Sequence, residues 1–398
     1  MAKDIIEYKS EIVRDLSSII EVPAISPLSN GEGEAKRAEL IMSILDKYKL
    51  GYDVYRYKDD MGFDRVNIVA YDRDRLDSKK RDLYLIGHID TVAPGDIKSW
   101  ERDPFKAFYD SKEDKLYGRG SLDDGHGVMA SLYTLRYLKE SSLEAKYNVK
   151  ALFAADEELG SKYGIQKLIQ DNIFKRDSLF VVPDWWTERG DIIEIAEKGI
   201  LWLKVSVIGQ QVHASTPDKG LNATLLMSKL INSLYIRLHE RFNKRSKLFD
   251  PEISTFEPTK IEQNTDSINI IPGKNVFYID CRYLPDYKRE DIIEEIKKVA
   301  NEIGVKIELE IVNDSNASYV NQNSELVRSL TEAIKKTRSI EPKLVGIGGG
   351  TCAGFLRNAG FDAVVYGTGE DVAHQPNEYI VIKNLIEDIK TFIELVRS

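Results

Sequence analysis

Apolar residues near the start of the chain recur at the spacing of one helix face: Ile5, Tyr8, Ile12, Leu16 and Ile19 predict a helix over 3–21. Similar patterns predict helices over 33–49, 126–140 and 163–170. Between them stand short, unbroken apolar runs, from Asp82 to Gly87, Val149 to Ala154 and Leu179 to Pro183. These are too short and too closely flanked by glycine and proline for helices, so they predict buried strands. Such alternation is the signature of a sheet sandwiched by helices. From 199 to 312 the rhythm changes to strand 201–208, helix 222–241, strands 253–263 and 276–282, helix 288–303 and strand 305–311. This βαββαβ order predicts a ferredoxin-like domain that closes on its own. The first pattern then resumes with helix 324–336, strands 342–346 and 362–366 and helix 382–397. The expected fold class is α/β: a helix-sandwiched mixed sheet built from 1–198 and 313–398, interrupted by an inserted domain over 199–312.

Composition narrows the class. At about 150 residues per domain, 398 residues predict two to three domains, and 42% hydrophobic with 30% charged residues is a soluble globular balance. The 56 basic and 65 acidic residues give a net charge of −9, which argues against nucleic acid as a partner. Two cysteines, Cys281 and Cys352, lack the C-x-x-C spacing and are too few for a disulfide framework, which points to a reducing compartment. The first residues are charged rather than a continuous apolar run, and no stretch reaches the roughly 18 apolar residues of a membrane span. The expectation is a cytoplasmic protein with no membrane partner.

Five short motifs carry chemistry. Gly87-His88-Ile89-Asp90 ends a strand, and residues i and i+2 of a strand share a side, so His88 and Asp90 can act together as a ligand and its orienting carboxylate. A solvated strand end would look the same. Gly118-Arg119-Gly120-Ser121-Leu122-Asp123-Asp124 delivers two acids just before a helix; one can cap the helix, and a second is free to bridge two cations. Asp156-Glu157-Glu158 follows a buried strand, at the strand end where open α/β sheets place their ligands. Three adjacent carboxylates there repel one another unless cations offset them. Asp184 ends another apolar strand, and His374 follows a Gly-rich segment after strand 362–366. Together these motifs supply two histidines and at least three carboxylates, the ligand set of a two-metal hydrolase, and mixed N/O donors suit Zn²⁺, Co²⁺ or Mn²⁺. Gly348-Gly349-Gly350-Thr351 lacks the Lys-Ser/Thr of a phosphate loop, which argues against a nucleotide site.

With these motifs in place the whole chain resembles the dinuclear zinc peptidases and deacylases, a group that includes succinyl-diaminopimelate desuccinylase, acetylornithine deacetylase, aminoacylase and glutamate carboxypeptidase. The resemblance implies that His88, Asp123 and Asp184 hold one metal, and Asp123, Glu158 and His374 the other. It implies Asp90 as the orienter of His88 and Glu157 as the general base acting on a metal-bound water. Gly209 to Pro217 is similar to the family's G-x-x-x-H-A-S-x-P element, which makes His213 the oxyanion donor, reaching a partner subunit in dimeric members. Carboxylate recognition falls by the same resemblance on Asn269, Arg282, Gly350 and Thr351. The implied activity is amide hydrolysis of a small N-acyl amino acid, with a dipeptidase or carboxypeptidase as the alternative. The implied assembly is a homodimer through 199–312, a lid and dimerisation domain. One departure stands out: where the family commonly has lysine after the bridging acid, this chain has Gly125. Trp185-Trp186, directly after Asp184, could wall a pocket or pack into the core.

Overall fold

The computed structural model describes residues 4–397; Lys3, the expected first helical residue, and Ser398 lie outside them. The described residues form two compact units, one of residues 4–195, 320–344 and 351–397, the other of 196–319 with 345–350. The expected insertion ran over 199–312.

In the first unit, strand Asp82–His88 is buried at every position and lies between Asn148–Ala154 and Leu179–Val182, parallel to both. Strand Asp362–Val365 adds in parallel beside Leu179–Val182. On the other side, Asp64–Tyr71 and then the edge strand Gly51–Lys58 add antiparallel, so the sheet is mixed. The all-buried strands are the unbroken apolar runs of the sequence, as expected where helices cover both faces. On one face Tyr84, Ile86, Leu152, Phe180 and Val365 pack with Leu168 and Leu356 from helices Ile165–Gln170 and Cys352–Asn358. Helix Gly125–Glu140 packs on strand Asp82–His88 from the other face, beside helix Ile382–Val396. Gly87 makes that approach possible: a Cβ there would stand 2.3 Å from the Val128 amide nitrogen.

The second unit is a four-stranded antiparallel sheet in the order Thr255–Ile261, Lys274–Tyr283, Gly199–Ile208, Lys306–Ser315. With helices Ala223–Arg241 and Arg289–Glu302 this is the ferredoxin-like βαββαβ arrangement. Alternate residues Leu201, Leu203, Val205 and Val207 enter a core with Leu230, Leu234, Phe277, Ile292 and Ile296. Burial of each such side chain contributes about 1.5–3 kcal/mol, which fixes the register of the strand. The residues between them, such as Trp202 and Lys204, stay partly exposed. No helix among the described residues is long and apolar enough to cross a membrane.

Candidate metal centre

The carboxyl ends of the first unit's parallel strands converge. Strand Asp82–His88 ends on a His88 ring that is 3% exposed, and loop Gly118–Asp124 brings Asp123 to it. Asp123 turns its two oxygens to two imidazoles: Oδ1 lies 2.8 Å from His88 Nε2, and Oδ2 lies 2.9 Å from His374 Nε2. Glu158 Oε2 stands 3.1 Å from that same His374 nitrogen, and Asp184 Oδ1 stands 3.7 Å from His88 Nε2. Ligand atoms of His88, Asp123 and Glu158 all fall within 4.8 Å of one another, as do those of His88, Asp124 and Asp184.

The two adjacent aspartates have separate tasks. Asp124 caps helix Gly125–Glu140, its Oδ1 accepting from the Gly127 amide at 2.7 Å, while its Oδ2 accepts from the His88 amide at 3.0 Å. Asp123, joined to it by a cis peptide bond, is left to face both imidazoles. Asp90 also differs in detail from a simple orienting carboxylate. His88 Nδ1 is nearer the Asp90 carbonyl, at 3.1 Å, than its carboxylate, at 3.5 Å. The Asp90 carboxylate accepts instead from the amides of Glu157 and Glu158, at 3.0 and 3.1 Å. One residue therefore ties the His88 ring to the turn that carries two acids.

Charge in this cluster is unbalanced. Burial and the charge of Glu157 push the Asp184 carboxyl well above its usual range. Burial, with Glu158 and Asp90 adding to it, pushes Glu157 up to about 8. Burial would lower the His88 pKa, but its bond to Asp123 and the charge of Asp184 raise it well above the usual value. Bonds to Asp123 and Glu158 push His374 up to about 10, and the same imidazoles hold Asp123 below the ordinary carboxylate range against its burial. Two imidazoles and four carboxylates, Asp123, Glu157, Glu158 and Asp184, in so small a space hold their charge by sharing protons, a role that divalent cations can take over. The donors are nitrogen and oxygen, which suits Zn²⁺-type ions.

Three further residues hold this site together, and the sequence analysis named none of them for that task. Glu378, fully buried, accepts from the amides of Gly120, Leu122 and Asp123 and from Arg119. Arg37, also buried, donates to the carbonyls of Val22 and Ile89. The available signal was a Gly-rich loop whose amides need an acceptor, but sequence alone does not say which distant acid supplies it. His126 is buried against Asp388, with Nε2 2.8 Å from Oδ2. Trp185, half-buried, packs on the sheet core, and the Trp186 ring lies against Gly367 and Gly369.

The remaining predicted residues, Thr351 apart, lie in the second unit. His213 pairs with Ile270, and the Ala214 amide donates to the Asn269 carbonyl at 2.8 Å, so His213 and Asn269 are neighbours. The Ser215 amide donates to His213 Nδ1 at 3.2 Å, which makes Nδ1 an acceptor and leaves Nε2 to carry the proton. Arg282 is already engaged: Nε and Nη2 bind the Asp280 carboxylate at 2.7 and 3.0 Å, and Nη1 binds the Gly348 carbonyl at 2.8 Å. Five N–H groups minus these three leave one on each terminal nitrogen. Gly350 is exposed. Thr351 belongs to the first unit, where its hydroxyl oxygen caps helix Cys352–Asn358.

Histidines and acids gathered at the strand ends of a mixed sheet define a candidate metal-dependent enzyme centre. The sequence pattern of peptidase family M20/M25/M40 matches residues 84–398, and the chain belongs to that family. It is 38% identical to an uncharacterised metallohydrolase of Methanocaldococcus jannaschii over 99% of this chain and all of that one. It is 26% identical to the succinyl-diaminopimelate desuccinylase of Rickettsia canadensis over 93% of this chain and 94% of that one. Among solved structures, an aminopeptidase of Bacillus cereus has the same fold, with a TM-score of 0.77 at 18% identity and 98% of both chains covered. Members of this family are metal-dependent hydrolases of peptide and amide bonds.

Proposed function

We propose that the chain is a cytoplasmic deacylase that hydrolyses the amide bond of small N-acyl amino acids at a centre of two divalent cations, zinc by preference. The observation that carries this reading is Asp123, whose two oxygens face His88 and His374 separately, as a bridging carboxylate requires. His88, Asp123 and Asp184 would hold one cation, and Asp123, Glu158 and His374 the other. Cations held there would supply Lewis acidity to a carbonyl oxygen and lower the pKa of a bound water.

The chain's own groups do the rest. Glu157, raised to about 8, takes the proton of the attacking water and returns it to the departing amine. His213 carries its proton on Nε2, the form that donates to a developing oxyanion. Arg282, held rigid by Asp280, keeps one N–H on each terminal nitrogen for a substrate carboxylate, with Asn269 and the Gly350–Thr351 turn assisting. Residues 199–312 would pair two copies of the chain. Removal of an N-acyl group rests on the likeness to a desuccinylase over 93% of this chain, and the alternative is a dipeptidase or carboxypeptidase of the same family.

The test is hydrolysis by metal-stripped protein reloaded with Zn²⁺, Co²⁺ or Mn²⁺. Its substrates are N-succinyl, N-acetyl and N-formyl amino acids, set beside dipeptides with free carboxyl ends. Metal-restored turnover with the acyl amino acids preferred is the expected result. Preference for dipeptides would replace the deacylase by a peptidase, and two bound metals with no turnover would leave a binding protein.

A further inference from the structure

Hydrolysis gives no task to one buried carboxylate of the first unit whose four hydrogen-bond donors all come from a single loop. Glu378 Oε2 accepts from Arg119 Nη1 at 2.7 Å and from the Gly120 amide at 3.1 Å. Its Oε1 accepts from the amides of Leu122 and Asp123 at 2.9 and 3.0 Å. Its own carbonyl accepts from the Gly118 amide at 3.0 Å. Five donors of one loop thus converge on a single residue that stands 255 positions beyond Asp123. A capping or neutralising role would use one or two of them. A buried carboxylate already paired with an arginine needs no row of three amides, whereas a loop that must hold one shape does.

The arginine of that pair has a second partner. Arg119, 1% exposed, turns Nη2 to the carbonyl of His374 at 3.2 Å. His374 itself sits in the left-handed region, with φ +62, a conformation that costs a non-glycine residue energy and needs support from its surroundings. The two side chains together therefore grip the backbone of Asp123 on one side and of His374 on the other. His88 is placed differently, by its strand, by Asp90 and by the Asp124 carboxylate on its amide. Asp184 follows its own strand.

We propose that Arg119 and Glu378 form a positioning clamp that sets the separation of Asp123 and His374, and so controls the second cation, shared by Asp123, Glu158 and His374, more than the first. This rests on the two-cation reading above. Neither residue touches substrate or cation; both act through the backbone of the ligands.

The experiment titrates metal-stripped full-length protein with Co²⁺, followed by calorimetry and by visible absorption. The wild-type chain is expected to take two ions. Glu378→Gln puts an NH₂ group against donors it cannot accept from. It should bind the first Co²⁺ within about threefold of wild type and the second at least about tenfold more weakly, in the range found for partners that orient metal ligands. The absorption of the second equivalent should change with it. Where Glu378→Gln fails to fold, Arg119→Lys keeps the charge beside Glu378 and removes the bond to the His374 carbonyl; the same selective loss is expected. A lower Tm with both affinities unchanged, or equal weakening of both, would make the pair a purely structural ion pair and overturn the clamp. A wild-type chain that takes fewer than two ions would instead defeat the two-cation reading itself, a result visible before any variant is tested.

Discussion

Asp123 and Asp124 divide a labour that their adjacency in sequence leaves undecided. One caps a helix and binds the His88 amide; the other faces two imidazoles. Sequence could say that one acid of the pair was spare, because a helix start needs one cap. It could not say that Asp90 would spend its carboxylate on the amides of Glu157 and Glu158, since strand spacing gives the side a residue faces and not the partner it meets. Glu157→Gln keeps the shape of the proposed base and removes its proton affinity. It should lower kcat by about 10²–10⁴-fold and leave bound metal unchanged, measured as turnover beside metal content per chain. A loss of a few fold would assign the base elsewhere. The raised histidines give a second expectation. His374, at about 10, and His88, well above its usual value, carry protons at neutral pH that an incoming cation must expel. Metal affinity should therefore climb with pH between 6 and 9, by about tenfold per unit for each proton released, and level off only near pH 10. Chelator competition across that range measures the slope; a flat profile would contradict it.

At the scale of elements, the helices and fully buried strands were legible because each keeps one period over its length. Helix Ala223–Arg241 and strand Leu179–Val182 lie within a residue or so of the spans predicted for them. Strands Gly51–Lys58 and Asp64–Tyr71 were not named, for a physical reason. The first is a half-exposed edge, and the second buries Arg65 and Asn67 amid its apolar residues. Arg65 pairs with Glu34 and Asp59, and Asn67 binds the Tyr163 carbonyl and the Ala155 amide, so polar residues sit where the pattern leads one to expect apolar ones. Helix Cys352–Asn358, at seven residues, is too short to show a period. The contact between strand Asp82–His88 and helix Gly125–Glu140 yields a prediction of its own. In Gly87→Ala the new Cβ meets backbone, at 2.3 Å from Val128 N and 2.5 Å from Gly127 C, and neither atom can move without shifting the helix. A destabilisation of about 1–3 kcal/mol or more is expected, read as a fall in Tm, with weaker metal binding because His88 is the next residue. An unchanged Tm would mean that strand and helix separate freely.

For the whole molecule, the βαββαβ order was readable as a domain because its elements follow one another without interruption, whereas the sheet of the first unit draws its strands from both sides of that insertion. Which residues of the second unit serve the reaction is a question of assembly. The family resemblance leaves two settings for His213, its own subunit's centre or that of a partner copy, and the second has a direct test. A mixture of His213→Ala and Glu157→Ala subunits, each nearly inactive alone, should then regain part of the wild-type turnover once exchange into heterodimers is demonstrated. No recovery after demonstrated exchange would place His213 in its own subunit's reaction.

The strand order has a consequence for how the protein is made. Residues 88 to 184 lay down His88, Asp123, both glutamates and Asp184 ahead of the second unit. The strand that pairs with Leu179–Val182, the His374 that faces Asp123, and the Glu378 that holds its loop all emerge after position 361. While the ribosome translates the intervening 177 or so residues, the nascent chain carries a cluster of acids with no completed seat for them. The centre closes only once residues 362–378 have followed the second unit, so a chain stalled or clipped before His374 would keep its acids and lack the imidazole and the carboxylate that seat Asp123.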